Sequence, residues 1–179
     1  MGVFDEDICD CCVCPMQCVL KELVGVFVGI DTPIGSTIDT TITDVENFIV
    51  STSDAGDIPV CQITHVESEN FTNTIIARVL SALKPIRKSK GECACCEDPM
   101  TNLLKFEIGN NFNIEFISPE GPFPDRILGV GEGIVVGIDG VTFLDIYSTC
   151  AITKIIPITT EQINDPDRPS RRTISLSAT

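Results

Sequence analysis

Displaced against itself, the chain matches its own amino end 84 residues later. Cys11, Cys12, Pro15 and Met16 fall on Cys95, Cys96, Pro99 and Met100. Leu20-Lys21 falls on Leu104-Lys105, Gly25 on Gly109 and Ile30 on Ile114. Farther along, CQITHV at 61–66 answers CAITKI at 150–155 with an offset of 89, and DVENFIV at 44–50 answers DGVTFLD at 139–145 with an offset of 95. Matches that keep their order while the offset changes describe two copies of one small domain with loops of different length. The expected organisation is an amino-terminal arm at 1–14, repeat 1 at 15–69, a connecting helix and linker at 70–92, repeat 2 at 93–156 and a tail at 157–179.

Each copy opens with Pro-Met, and Pro is pre-organised for the first turn of a helix. In copy one Val19, Leu20, Leu23 and Val24 are spaced to line one face, and Gly25 ends the helix. In copy two Leu103, Leu104 and Ile108 do the same ahead of Gly109. Strands are expected after each helix. Copy one supplies VFVGIDT, STIDTTITDV, FIVSTS and the bent IPVCQITHV; copy two supplies NFNIEFIS, GIVVGID, VTFLDIYS and CAITKII. SPEGPFPDRILGVGEG, at 118–133, reads as a long inserted loop because Gly and Pro crowd it. Between the copies, Ile75, Ile76, Val79, Leu80 and Leu83 recur at helical spacing until Pro85, which predicts a packed connecting helix. The predicted fold class is therefore mainly β, with a short helix before each copy.

Charge excludes one class of partner. The formal net charge is −14, whereas a nucleic-acid binder needs a positive field to displace counterions from phosphates. The basic stretches KPIRKSK and DRPSRR read as solvated linker and tail. No apolar run reaches bilayer-spanning length. The acidic MGVFDEDICD lacks the basic n-region and apolar core of a signal peptide, so synthesis in the cytosol without a signal peptide is expected. Cytosolic thiols stay reduced, and ten cysteines then call for metal, redox work or later oxidation.

Helix followed by five short strands with a bent fourth-to-fifth junction resembles the Sm-like small barrel. In copy one the resemblance rests on Gly35, Val45, Asn47, the FIV strand at 48–50 and IPVCQITHV at 58–66; it covers roughly residues 15–67 and, more loosely, 99–156. It implies two tandem Sm-like β-barrels. An Sm-like RNA-binding protein is the less favoured alternative, because the basic-Gly pair that completes the family's base pocket has no counterpart in SDAGDIPVC, and Thr142 stands where copy one has Asn47. The chain also resembles proteins of the coat or exosporium of bacterial endospores, some with tandem Sm-like modules and others opening with Cys-Cys-x-Cys-Pro-Met-like segments. That resemblance implies a structural protein deposited on the spore surface. It would self-assemble into a layer or fibre with itself and other spore surface proteins, locked by disulfides formed after release from the reducing mother cell.

Three uses compete for Cys9, Cys11, Cys12, Cys14, Cys18, Cys93, Cys95 and Cys96. Cys11-x-x-Cys14 and Cys93-x-x-Cys96 have the spacing of a four-thiolate zinc site, which would make the protein a zinc-stabilised binding adaptor. A redox Cys-x-x-Cys would need an alternating α/β setting that the chain lacks. Disulfide cross-linking suits the vicinal pairs Cys11-Cys12 and Cys95-Cys96, since neighbours that cannot both reach one partner can join different chains. Cross-linking is the use favoured, with no metal or other cofactor and no catalytic residue assigned. Cys61 and Cys150 lie in apolar strands and read as small buried hydrophobes. His65, the single histidine, sits in the alternating ITHVES and reads as a surface or edge residue, with Lys154 at its place in copy two. TISLS at 173–177 and the amino arm are expected to dock on neighbouring subunits.

Overall fold

A computed structural model describes residues 12–34, 37–69, 71–88, 91, 93–118, 121–140, 142–159 and 162. Repeat 1 consists of α1 (Val13–Lys21), β1 (Phe27–Asp31), β2 (Ile38–Glu46), β3 (Ile49–Thr52), β4 (Asp57–Pro59), a 3-10 turn (Val60–Gln62) and β5 (His65–Ser68). Next come α2 (Asn73–Ala82) and α3 (Cys93–Cys96). Repeat 2 consists of α4 (Asp98–Leu104), β6 (Asn111–Phe116), β7 (Phe123–Gly131), β8 (Ile134–Asp139), β9 (Phe143–Ser148) and β10 (Ile152–Pro157).

Among the described residues all ten strands belong to one antiparallel sheet in the order β10-β6-β7-β8-β9-β5-β1-β2-β3-β4. The halves are wired alike: β5-β1-β2-β3-β4 in the first corresponds strand for strand to β10-β6-β7-β8-β9 in the second. The expected pair of closed barrels is not formed. Closing the first half would require β5 to meet β4, but the free side of β5 is taken by β9 of the other half. Their register runs from His65↔Tyr147 to Ser68↔Leu144.

That shared junction explains why β8 and β9 are buried at nearly every position. On β8 and β9, Ile134, Val136, Leu144 and Ile146 face a core built on α1, β1 and β2, whereas Val135 and Tyr147 face a second core built on α4, β6 and β7. Strands buried on both faces lose the inside/outside alternation of a half-exposed strand. Leu20 and Leu104 anchor the two helices, and both are fully buried. The helices are not equally covered, however. Val19 of α1 and Leu23 in the turn after it are fully buried, while Leu103 and Ile108 are half-exposed.

Gly25 and Gly109 adopt positive φ after the two helices. Each donates its N–H to a strand of its own half, at the carbonyls of Ile42 and Ile127. At the β2–β3 hairpin, Asn47 and Phe48 both have positive φ, and the side-chain oxygen of buried Gln17 accepts the Phe48 N–H at 2.6 Å. The segment expected as an inserted loop contains the nine-residue strand β7. Its glycines are packing residues: a Cβ on Gly129 would stand 2.6 Å from Leu80 Cδ2, so α2 can lie on the sheet only where side chains are missing. The α2 helix itself is capped by Thr72, whose hydroxyl accepts the Ile75 N–H. Residues 1–11 and 163–179 lie outside the described residues, and with them the expected docking of the amino arm and of TISLS.

Candidate functional site

The chemistry-bearing groups of the molecule collect where the two halves meet. β5 is flanked by β1 and β9, with Asp31 and Tyr147 directly opposite His65 and with Gly29 and Asp145 opposite Glu67. Side chains two residues apart share a face, so His65, Glu67, Asp31, Asp145 and Tyr147 all project to one side. His65 Nδ1 lies 2.8 Å from Asp31 Oδ2, and Nε2 lies 2.9 Å from Asp145 Oδ1. All three side chains are buried. Thr37 donates its hydroxyl to the other oxygen of Asp31 at 2.6 Å, and Tyr147 donates to Asp125. The imidazole stacks on Tyr147 with centroids 4.5 Å apart and lies against Phe116 and Phe123.

Burial by itself would depress the imidazole pKa, but the hydrogen bonds and charges of Asp145 and Asp31 outweigh it and raise His65 to about 9. His65 is therefore an imidazolium at neutral pH, donating from both nitrogens. One carboxylate comes from repeat 1 and the other from repeat 2, so the cation ties the halves together. The expected edge position of His65 is overturned for a tertiary reason: β5 would be an edge strand in an isolated repeat, and β9 covers it.

A second property of the cluster was missed in the sequence. Donor atoms of His65, Glu67 and Asp145 lie within 4.8 Å of one another. One imidazole and two carboxylates form a set that a divalent cation could occupy in exchange for the imidazole proton, with Asp31 orienting the ring from its other nitrogen. The i, i+2 spacing of His65 and Glu67 was the available signal; Asp31 and Asp145 arrive from distant strands.

The cysteines divide differently from expectation. Cys12, expected to reach other chains, is bonded within the chain to Cys150, 138 residues away. Cys150 is thus a bonded residue in the turn after β9, not a buried hydrophobe. Cys14 is also disulfide-bonded. Cys18 is a half-buried free thiol on α1; Cys61 and Cys95 are free and exposed. The expectation of a buried Cys61 fails because the bend places it in the 3-10 turn rather than in a strand. Cys93 and Cys96 bound α3, while Cys9 and Cys11 lie outside the described residues.

Around the disulfide, the Thr149 hydroxyl lies 3.6 Å from Cys12 Sγ, which as a disulfide sulfur can only accept, and accepts in turn from Thr101. Beside α4, Glu97 is buried, and its desolvation together with the charges of Glu132 and Asp98 raises its pKa to about 7, against a lowering hydrogen bond from the Gly133 backbone. A groove of about 740 Å³ runs between the end of α4 and β10, lined by Leu103, Phe112, Ile155 and Pro157 among others.

Neither a protein-family model, nor a curated protein, nor a solved structure matches the chain significantly. Among the described residues no helix is long and apolar enough to cross a membrane.

Proposed function

We propose that the chain is a structural protein that self-assembles into a layer or appendage fibre of a spore surface and is cross-linked by disulfides. The observation that carries this reading is the division of its thiols. Cys12–Cys150 locks the fold internally, while Cys61 and Cys95 remain free on the surface. An internal disulfide forms under oxidising conditions, and the same conditions make exposed thiols available to join neighbouring chains. The shared order of a leading helix and five strands supports Sm-like modules as the ancestry of the two halves, opened and merged here into one sheet. Partners are further copies of the chain and other spore surface proteins; nucleic acid is disfavoured by the net charge of −14.

The test is electron microscopy of purified protein with and without reductant, beside denaturing gels run without reductant. Ordered assemblies and a ladder of covalent oligomers are expected, and a sample that stays monomeric by both measures overturns the reading. A metal-stabilised binding adaptor is the second reading, favoured by the His65, Glu67 and Asp145 donor set. Metal analysis of the reduced protein separates the two, since stoichiometric zinc without assembly would favour the adaptor.

A further inference from the structure

The junction between the halves is an interface whose two sides both recur, unpaired with each other, at opposite ends of the molecule. Inside, β5 pairs with β9. Their counterparts in the other repeat are β10 and β4, the two edges of the sheet, each hydrogen-bonded on one side only among the described residues. Several elements that close the inner junction have counterparts at these edges. By the offsets of the repeat, Cys12 corresponds to Cys96 and Cys150 to Cys61. The inner pair is a disulfide; at the edges Cys61 is an exposed free thiol, and so is Cys95, the neighbour of Cys96.

The electrostatic latch recurs as well. Asp31 stands opposite His65 in the β1·β5 register, and Glu115 stands opposite Lys154 in the β6·β10 register. Lys154 Nζ lies 2.9 Å from Glu115 Oε1. At the inner junction a third, acidic member arrives from β9. Because β4 and not β3 corresponds to β9, the offset of 89 holds here and replaces the offset of 95 read from DVENFIV; Gly56 at the β4 edge then takes the place of Asp145, with Asp54 and Asp57 near it in sequence. The apolar cover is thinner in repeat 2: Val19 is 0% exposed in a core it shares with Val66 of β5 and Ile146 of β9, while Leu103 at the same place in repeat 2 is 50% exposed. Leu103 also lines the groove beside β10.

We infer that the β10 edge of one molecule takes the β4 edge of a second copy, repeating the β5·β9 junction, and that Cys61 of the second copy is then joined to the Cys95-Cys96 pair of the first. This rests on the self-assembly reading and specifies its contact. By the register of the inner junction, Lys154 faces Ile58 of the next copy and Ile156 faces Gly56. Strand addition satisfies the unpaired amides and carbonyls of both edges. The contact is heterologous, so it propagates as a fibre unless its rotation closes a ring. The covalent step joins Cys61 Sγ to Cys95 Sγ; the two thiols lose two protons and two electrons to a small disulfide such as oxidised glutathione, which leaves as two thiols.

The experiment uses the full chain oxidised with glutathione disulfide, separated without reductant and mapped by mass spectrometry of its disulfide-linked peptides. A linkage between the Cys61 peptide and the peptide carrying Cys95 and Cys96 is expected. Cys61→Ser should remove it while leaving non-covalent oligomers in sedimentation, because Cys61 is exposed and the contact it accepts, from the side chain of adjacent Gln62 at 3.9 Å, joins no two elements. Lys154→Glu, placing a like charge beside Glu115 and the acidic β4 edge, should weaken those oligomers at least about tenfold with circular dichroism unchanged. Oligomers linked through two copies of Cys61, or through no Cys61, overturn this contact but leave self-assembly standing. Absence of any oligomer overturns both. A ladder that appears only after deletion of residues 163–179 would assign the β10 edge to the chain's own tail, again overturning the contact.

Discussion

Replacing His65 with Gln should cost stability in a pH-dependent way that no neutral role for this residue would produce. Three buried groups are coupled, with His65 carrying the positive charge between Asp31 and Asp145. His65→Gln leaves two buried carboxylates without their cation, a loss of about 3–5 kcal/mol for breaking a buried pair. Linkage gives a comparable figure independently. A rise from 6.5 to about 9 corresponds to roughly 3 kcal/mol. Because the folded-state pKa is raised, this stabilisation is fully present below pH 6.5. It drains away as pH rises towards 9 and is absent above. The assay is urea unfolding of the wild-type and variant proteins at intervals from pH 6 to 9.5. At a slope of about 2 kcal/mol per molar urea, the variant's midpoint should lie about 2 M lower at pH 6, and the gap should narrow steadily above pH 7. The triple variant Asp31→Asn, His65→Gln, Asp145→Asn removes the whole set of charges and should recover part of the loss. Equal pH slopes in wild type and His65→Gln would refute the ion-triad argument, whatever the size of the destabilisation.

The intrachain disulfide gives a second expectation: Cys12→Ala with Cys150→Ser releases a loop of 138 residues and should destabilise by up to about 5 kcal/mol on chain entropy alone, read as a lower urea midpoint. Leu20→Ala and Leu104→Ala, both at fully buried positions, should each cost about 2–5 kcal/mol by thermal or chemical unfolding. Glu97 has the opposite chemistry from His65 but the same sign of pH dependence. Its folded pKa of about 7 exceeds the ordinary 4.5, so its proton stabilises the fold at low pH and this contribution is lost as pH rises through 7. Glu97→Gln should therefore raise the midpoint at pH 8 and change it little at pH 4.5.

Strand-forming composition, the Pro-Met helix starts and the internal repeat were all legible along the chain, because they depend on local conformational preference and on identity of residues. The equivalence of Gly25 with Gly109 is an example: a residue that must take positive φ after a helix is glycine in both copies. β7 reads as a loop because Gly129 and Gly131 look like loop residues until Leu80 of α2 and Leu83 at its end are seen resting on them. What the sequence could not decide was how two copies meet. An isolated repeat leaves β5 as an edge, with His65 open to solvent; pairing with β9 buries the imidazole, supplies Asp145 and holds its charge. The thiols followed the same rule. Ten cysteines were countable from the chain, but the pairing of Cys12 with Cys150 depends on where the second repeat lies, and the exposure of Cys61 on the 3-10 turn that carries it. Local propensity acts within a few residues of the backbone, whereas burial, pairing and pKa are set by groups that are distant in sequence and are brought together only by the folded sheet.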